Sequence, residues 1–315
     1  MKLLITGGAG FIGSNFVQYM LEKYPEYDVV NLDALTYAGN LDNLKEVMHN
    51  SRHRFVKGRI EDANLVDNLM KGIDVVINFA AESHVDRSIV EPQVFITTNV
   101  LGTQVLLDAA LHHKVKLFYQ ISTDEVYGAL GLDSKARFTE LSPLQPNSPY
   151  SASKAAADLL AQAYHRTYGL PVVITRCSNN YGPRQHPEKF LPTVILNALK
   201  EKPIPIYGDG LYVRDWIHVT DHCRAIDLIV HKGKIGEVYN VGADNELANI
   251  DLAHKILQIL DKPQKLLTSV KDRPGHDRRY AIDSTKIRRD LGWSPGITFD
   301  TGLTDTIHAY TSHSL

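Results

Sequence analysis

Across the first half of the chain, short apolar runs alternate with helix-like segments, and the runs are apolar almost throughout rather than at every second residue. They are KLLIT (2–6), DVVNLD (28–33), RFVKGRI (54–60), DVVINFAA (74–81) and KLFYQIST (116–123). Helical patterns separate them: GSNFVQYMLEKY follows the first run, and TNVLGTQVLLDAALHH (98–113) precedes the fifth. A strand apolar on both faces has to be covered on both, and parallel strands joined by right-handed helical crossovers achieve this. The expected fold is α/β, a doubly wound parallel Rossmann-type sheet with a smaller, discontinuous second domain. PVVITRCSNNYG (171–182) continues the series, after which the alternation weakens. RDWIHVTDHCRAIDLIV (214–230) and EVYNVG (237–242) read as a helix and strand returning to the sheet, while 183–213 and the stretch from 243 onward are rich in Pro, Asn, Asp and Arg. The reading assigns 1–175 plus 214–242 to the first domain and 176–213 plus 243–315 to the second.

Bulk properties exclude some functions. The formal net charge of the 315 residues is −2 and no basic block stands out, which argues against a nucleic-acid partner. The apolar runs are strand-sized and none approaches the ~20 residues of a membrane span, so no membrane association is expected. MKLLITGGAG breaks into glycines after five residues and does not read as a leader. Cys177 and Cys223 are far apart and read as small buried hydrophobes in a reducing, cytoplasmic setting. None of the 14 histidines falls in a zinc-ligand spacing, and no metal is expected. His112 and His113 end a helical pattern, where the helix dipole favours a cation.

TGGAGFIGS (6–14) lies where the first strand gives way to the first helix, with Gly7, Gly10 and Gly13 spaced three apart. Glycines there permit a tight turn and let backbone N–H groups approach a pyrophosphate at the helix N-terminus. Asp33 follows Gly13 by 20 residues at the end of the second strand, placed to accept hydrogen bonds from the adenosine ribose and to repel a 2′-phosphate. The expected cofactor is therefore NAD. Ala80 and Ala81 are small residues where a bound dinucleotide would lie.

YSASK places Lys154 one helical turn after Tyr150, on the same face. A free tyrosine has a pKa of about 10, and a neighbouring ammonium together with a cationic nicotinamide would favour the phenolate. Thr123, at the tip of the fifth strand, can donate to the same substrate oxygen. Asp124 and Glu125 come next, two adjacent acids. On the helix from Tyr150 to Tyr168, Ala152, Ala155, Ala156, Leu159, Leu160, Ala163 and Tyr164 form an apolar stripe of mostly small residues. Such a stripe can pack on the sheet, or this helix and the 98–113 helix can pair with their copies; the expectation is a homodimer.

Together these residues resemble the extended short-chain dehydrogenase/reductase family, and within it the dTDP-glucose 4,6-dehydratases. LITGGAGFIGSNF, LDALTYAGNL, FAAESHVDRSI, STDEVYG, SPYSASKAAAD, RCSNNYGP, YGDGLYVRDWIHV and DRPGHDRRYAID carry the similarity nearly end to end, and ALGLDSKARFTEL is its weakest stretch. The resemblance implies that Tyr150 takes the C4 hydroxyl proton while hydride leaves C4. Glu125 then removes the acidified C5 proton, and Asp124 protonates the departing C6 hydroxyl. It extends the cofactor contacts to Phe11, Ile12, Ala34, Leu35, Thr36, Arg59, Ile60, Thr98 and Asn180. It places Ser83, His84, Arg87, Asn179, Lys189, Phe190 and Leu191 around the sugar. It assigns Pro205, Ile206, Tyr207, Arg214, Asn249, Arg273, His276 and Tyr280 to the nucleotide end. The product would be a 4-keto-6-deoxy sugar feeding L-rhamnose or another deoxysugar. Arg59 departs from the aspartate usual near the adenine. The competing readings are a UDP-glucose dehydratase, a 4-epimerase or decarboxylase of the same superfamily, and an NAD-binding regulatory protein.

Overall fold

The apolar runs do become strands. The structure is a computed structural model and describes residues 1–312. In chain order come β1 (Lys2–Thr6), α1 (Phe11–Lys23), β2 (Asp28–Asp33), β3 (His53–Lys57), α2 (Ala63–Met70), β4 (Val75–Asn78), α3 (Val85–Val90), α4 (Pro92–Phe95), α5 (Thr103–His112), β5 (Leu117–Thr123), α6 (Pro149–Tyr168) and β6 (Val172–Cys177). The chain continues through β7 (Asn179–Tyr181), α7 (Phe190–Leu199), β8 (Ile204–Tyr207), β9 (Val213–His218), α8 (Val219–Lys232), β10 (Val238–Val241), β11 (Glu246–Ala248), α9 (Asn249–Ile259), β12 (Leu267–Val270), α10 (Thr285–Leu291) and α11 (Phe299–Ser312).

Seven strands form one sheet in the order β10-β6-β5-β4-β1-β2-β3, every pair parallel. Phe16, Val17 and Met20 of α1 and Ile226 of α8 cover one face, while Leu69 of α2, Leu106 and Leu107 of α5 and Ala161 of α6 cover the other. This double cover explains why the strands are apolar on both sides. It is a Rossmann-type fold, and the strand order reverses between β1 and β4, where a crevice opens beyond the carboxyl ends. A second core, with Leu191, Ile195, Trp216, Leu252, Ile256 and Leu303, lies under α7, α9 and α11.

Several boundaries differ from the sequence reading. β3 stops at Lys57, the last residue paired with β2, opposite Asp33. β4 ends at Asn78, and Phe79–Ala81 instead cross over the glycine turn of β1. The stretch 214–230 is not helical from its start: its first residues belong to β9, and α8 begins only at Val219. β9 sits between β11 and β7 in a three-stranded sheet, and β10 takes the edge beside β6. Residues 92–112 form one continuous helix, α-helical at both ends and π-helical over Ile96–Gly102. It is 21 residues long, and an 18-residue stretch within it has a mean hydropathy of 1.4, so the expectation that no segment reaches spanning length is corrected. Scattered Thr, Asn, Gln and Gly residues hide its apolar character in the sequence. In the fold, 44% of that stretch is buried.

Part of the α6 stripe packs on the sheet side: Ala155 is buried there, and Leu160 and Tyr164 lie against the core. The face turned to the sheet carries Tyr150, Ser151, Ser153, Lys154, Ala155, Ala157, Asp158 and Ala161. Ala152, Leu159 and Ala163 are exposed, alongside Ile96 and Leu101 of the neighbouring helix.

Candidate active site

A cleft enclosing about 1560 Å³, solvent included, runs along the carboxyl ends of β1, β2, β4, β5 and β6. Its floor is the glycine turn. Gly7 has φ +70°, and a Cβ there would lie 2.7 Å from the Ala80 nitrogen. A Cβ on Gly13 would meet the Gly7 carbonyl oxygen at 2.3 Å. Gly10 is the N-cap of α1 and brings no side chain, leaving the first-turn N–H groups facing the cleft. These are the features a pyrophosphate requires, so the turn fits a dinucleotide. At the far end, the Asp33 carboxylate is held by the N–H groups of Ala9 and Leu35, each at 2.8 Å. Arg59 is largely exposed and 3.7 Å from Glu61, which also accepts a hydrogen bond from Thr98 at 3.0 Å.

α6 delivers the hydroxyl and ammonium groups. Ser148 and Ser151 form a capping box, Pro149 occupies the first turn, and Gly169 closes the helix with φ 71°. The start of α6 is thereby fixed, which sets Tyr150 and Lys154 on its inward face. The Lys154 ammonium donates to the Ile121 carbonyl of β5 at 2.6 Å. Burial pushes the Tyr150 pKa well up and the Lys154 pKa down. The chain by itself therefore does not make the phenolate readily available, since burial outweighs the neighbouring ammonium.

β5 delivers the acids. Its last residue, Thr123, caps a 3-10 turn at Asp124–Tyr127: its Oγ accepts from the Glu125 N–H at 3.3 Å and donates to Asp124 Oδ1 at 3.3 Å. The two carboxyls have unlike surroundings. Asp124 is 1% exposed, and burial together with the Glu125 charge pushes its pKa well above the usual range. Burial also raises Glu125, but Arg273, Arg214 and Lys189 offset part of that rise. Asp124 is thus the stronger keeper of a proton, and Glu125 the readier carboxylate.

Two walls flank these acids. On one, Lys189 donates to the Ser83 carbonyl at 2.8 Å, the Tyr37 hydroxyl lies 3.3 Å from the Ser83 hydroxyl, and the Arg87 guanidinium stacks 4.3 Å from the Tyr37 ring centre. His84 caps α3 and approaches Glu188 at 3.6 Å. On the other, Arg214 lies 4.3 Å over the Tyr280 ring, and Tyr207 meets His276 edge-on at 5.9 Å. Burial and the Arg273 charge lower the His276 pKa to about 4. Asp86 joins the walls, accepting from Arg273 at 2.7 Å and from the Tyr207 hydroxyl at 3.1 Å.

The sequence pattern of the family described as GDP-mannose 4,6 dehydratase matches residues 4–306. The chain belongs to that family. Among its relatives, the low-salt glycan biosynthesis protein Agl12 of Haloferax volcanii is 52% identical over 310 residues, 98% of each chain. The dTDP-glucose 4,6-dehydratase of Xanthomonas campestris pv. campestris is 52% identical over 327 residues, covering 98% of this chain and 92% of the relative. Among solved structures, dTDP-glucose 4,6-dehydratase from Streptomyces venezuelae, crystallised with NAD and dTDP, superposes with a TM-score of 0.96. It is 50% identical, over 99% of this chain and 97% of that one.

Within this member of the family, the cleft gathers Gly7, Gly10, Phe11, Ile12, Gly13, Asp33, Ala34, Thr36, Arg59, Ile60, Ala80, Ala81, Ser83, Thr98, Thr123, Asp124, Glu125, Tyr150, Lys154, Asn179, Asn180 and Lys189. Some residues expected at the site point elsewhere. The side chain of Leu35 packs against the core under α1, and only its N–H serves Asp33. Leu191 and Ile206 are buried in the second core, with Phe190 packed against it, because α7 and β8 turn their apolar faces inward. Asn249 begins α9 with its Oδ1 buried and without a hydrogen-bond partner among the described residues. The cleft also includes Glu61, Cys177, Ser178, Gln185 and His186, which the sequence reading passed over. Cys177 was findable: it pairs in register with Thr123, so it ends its strand at the same edge. Burial pushes its thiol up to about 12, which suits a lining group rather than a nucleophile. A cluster capable of holding a metal ion does occur among the described residues: Asp67, His112 and His113. It lies at the end of α5 opposite the cleft, where both imidazoles lie within hydrogen-bonding distance of one Asp67 oxygen.

Proposed function

We propose that the chain is a dTDP-glucose 4,6-dehydratase, converting dTDP-glucose to dTDP-4-keto-6-deoxyglucose and water in deoxysugar synthesis of the kind that leads to L-rhamnose. The observation that carries this reading is the pair of unlike acids at the tip of β5, in one cleft with Thr123, Tyr150 and Lys154. Oxidation or epimerisation at C4 requires only the latter three groups. Removing water across C5 and C6 requires a base and an acid as well, with pKa values set apart.

NAD would be held by the glycine turn, Asp33 and the N-terminus of α1, and it supplies a hydride acceptor for C4 and a donor for C6 within one turnover. Tyr150 receives the C4 hydroxyl proton and Thr123 orients that oxygen. The resulting 4-ketone acidifies the C5 hydrogen. Glu125, kept available as a carboxylate by Arg273, Arg214 and Lys189, removes it. Asp124, protonated in its buried position, delivers its proton to the C6 hydroxyl, and water leaves. Protonation at C5 completes the product. Arg273 and Arg214 offer the charge and fork geometry that a diphosphate calls for.

The exposed apolar face made by Leu159 of α6 with Ile96 and Leu101 is the proposed contact with a second copy, giving a homodimer. Both cysteines are buried and unpaired, as in a reducing cytoplasm, where we place the enzyme.

The test is mass spectrometry of dTDP-glucose incubated with purified protein and no added reductant, with UDP-glucose in parallel. Loss of one water without net reduced cofactor is expected, faster with the thymidine nucleotide. An unchanged mass with an inverted C4 centre would refute the dehydratase reading in favour of epimerisation.

A further inference from the structure

Behind the two cleft residues of α6 lies a third ionisable group. Tyr150, Lys154 and Asp158 follow one another at intervals of four residues, so they stack down one face of the helix. All three are buried, and Asp158 is 0% exposed. Asp158 does not line the cleft, and no step described above uses it. Its Oδ2 accepts from Arg176 Nε of β6 at 3.0 Å. Arg176, itself only 2% exposed, donates through Nη1 to the Tyr127 hydroxyl at 3.0 Å. That hydroxyl donates in turn to Asn240 Oδ1 of β10 at 2.8 Å. The chain of contacts thus links α6, two strands and the 3-10 turn that carries Asp124 and Glu125.

A buried ion pair is a poor means of gaining stability, because desolvation offsets most of the attraction. Its placement gives a different reason for its presence. The groups that act on the Lys154 ammonium are Asp158 on its own helix, the Cys177 thiol on β6 and the Ile121 carbonyl on β5, with Tyr150 one turn before it on the same face. Burial draws the proton off Lys154, and the Asp158 carboxylate is the largest influence that opposes it. Burial likewise raises the Asp158 pKa, and Arg176 and then Lys154 are the charges that oppose it and favour the carboxylate. Lys154 also spends a hydrogen bond on the Ile121 carbonyl, next to the strand tip.

We propose that Asp158, anchored by Arg176, is a positioning residue for the oxidation step: it keeps the Lys154 side chain charged and aimed at the tip of β5, beneath Tyr150. The proposal rests on the dehydratase reading, in which Lys154 supports the Tyr150 base. Asp158 acts through Lys154 and does not touch substrate.

The test compares Asp158→Asn, Arg176→Gln and the double variant with the parent holoenzyme. The readouts are the pH profile of kcat for dTDP-glucose turnover and the titration of the Lys154 Cε resonance in carbon-13 lysine-labelled protein, assigned by its loss in Lys154→Arg. Removing an opposite charge that acts on a buried ammonium shifts its pKa by about one unit or more. In Asp158→Asn the alkaline limb of kcat and the Lys154 titration should therefore move together to lower pH by at least about one unit, with about a tenfold loss of kcat on the alkaline side. KM should stay within about twofold. Arg176→Gln leaves the carboxyl group but takes away the main charge that favours its ionised form, so both readouts should move down by less than in Asp158→Asn. The double variant keeps a neutral hydrogen-bonding pair and should move down, which preserves the test if Asp158→Asn does not fold. An unmoved profile in Asp158→Asn, or in the double variant standing in for it, would overturn the proposal. So would downward shifts of equal size in Asp158→Asn and Arg176→Gln that track their loss of thermal stability. A parent protein that does not turn over dTDP-glucose would fail the dehydratase reading alone, because the lysine resonance reports on Asp158 without substrate.

Discussion

Asp124→Asn should separate the acid's chemical role from its structural one. Asparagine matches the shape and neutrality of a protonated Asp124 but cannot deliver a proton. Loss of general-acid assistance is worth ~10²–10⁴-fold, or about 2.7–5.4 kcal/mol at 1.36 kcal/mol per decade. Stability should respond in the other direction. Asp124 is 1% exposed, its Oδ2 has no hydrogen-bond partner among the described residues, and its folded pKa lies well above the usual value. An acid whose pKa rises on folding contributes stability that is full below the unfolded pKa of about 3.9 and is lost as pH rises through the folded pKa. Each pH unit inside that window costs about 1.4 kcal/mol. Asparagine does not titrate, so the variant should match or exceed the parent's melting temperature at pH 7, with the gap closing towards pH 4. The assay is mass spectrometry of the sugar nucleotide together with absorbance of the reduced cofactor, plus thermal melts across that pH range. Turnover should collapse while the oxidised sugar and reduced cofactor build up before elimination. Near-parental turnover, a failure already at C4 oxidation, or a destabilisation that does not change with pH would refute the reasoning.

Other variants probe the remaining parts. Glu125→Gln should still oxidise C4 but abolish exchange of the C5 hydrogen with deuterated water, measured by NMR; exchange at the parental rate would remove Glu125 as the base. Gly13→Ala places a Cβ 2.3 Å from the Gly7 carbonyl oxygen, a backbone atom that cannot move aside, so the purified protein should lose bound dinucleotide and the melting-temperature rise on adding NAD. Arg273→Gln deletes a charge-assisted contact worth ~1.5–3 kcal/mol, so KM for dTDP-glucose should rise by about 10–100-fold, and kcat should fall as well, most at low pH, because Glu125 loses a charge that favours its carboxylate. Leu159→Arg places a charge on an exposed apolar face where the side chain is 54% exposed, and sedimentation should show the mass halved at similar thermal stability. An unchanged mass would place the dimer contact elsewhere.

Some of this architecture can be read from neighbours in the chain. Runs such as KLLIT and DVVNLD are apolar on consecutive residues, and only a doubly covered parallel sheet buries both faces, so the Rossmann-type half follows from local pattern. The glycine spacing, Tyr150 four residues before Lys154, and the Thr123–Asp124–Glu125 succession are equally local: helix pitch and a strand tip place them without reference to the rest of the molecule. The long helix 92–112 was less legible, because polar residues interrupt an apolar surface that becomes continuous only once the helix is wound.

What tertiary structure alone decided depends on contacts between distant segments. β9 pairs with β7 and β11 and not with the large sheet, a choice made by register across strands that no single segment encodes. Leu191, Ile206 and Leu35 look like site residues by their place in a motif, yet their side chains fill cores, because which face of an element turns inward depends on its packing partner. The α6 stripe divided for the same reason: Ala155 packs inward, while Ala152, Leu159 and Ala163 face outward. Adjacent in sequence and alike in chemistry, Asp124 and Glu125 differ because Arg214, Arg273 and Lys189 are folded in from remote stretches to favour one charge, while burial suppresses the other. Residue type and spacing determined which groups reach the cleft. Desolvation and long-range electrostatics, which exist only in the folded chain, decided which of the two acids keeps its proton.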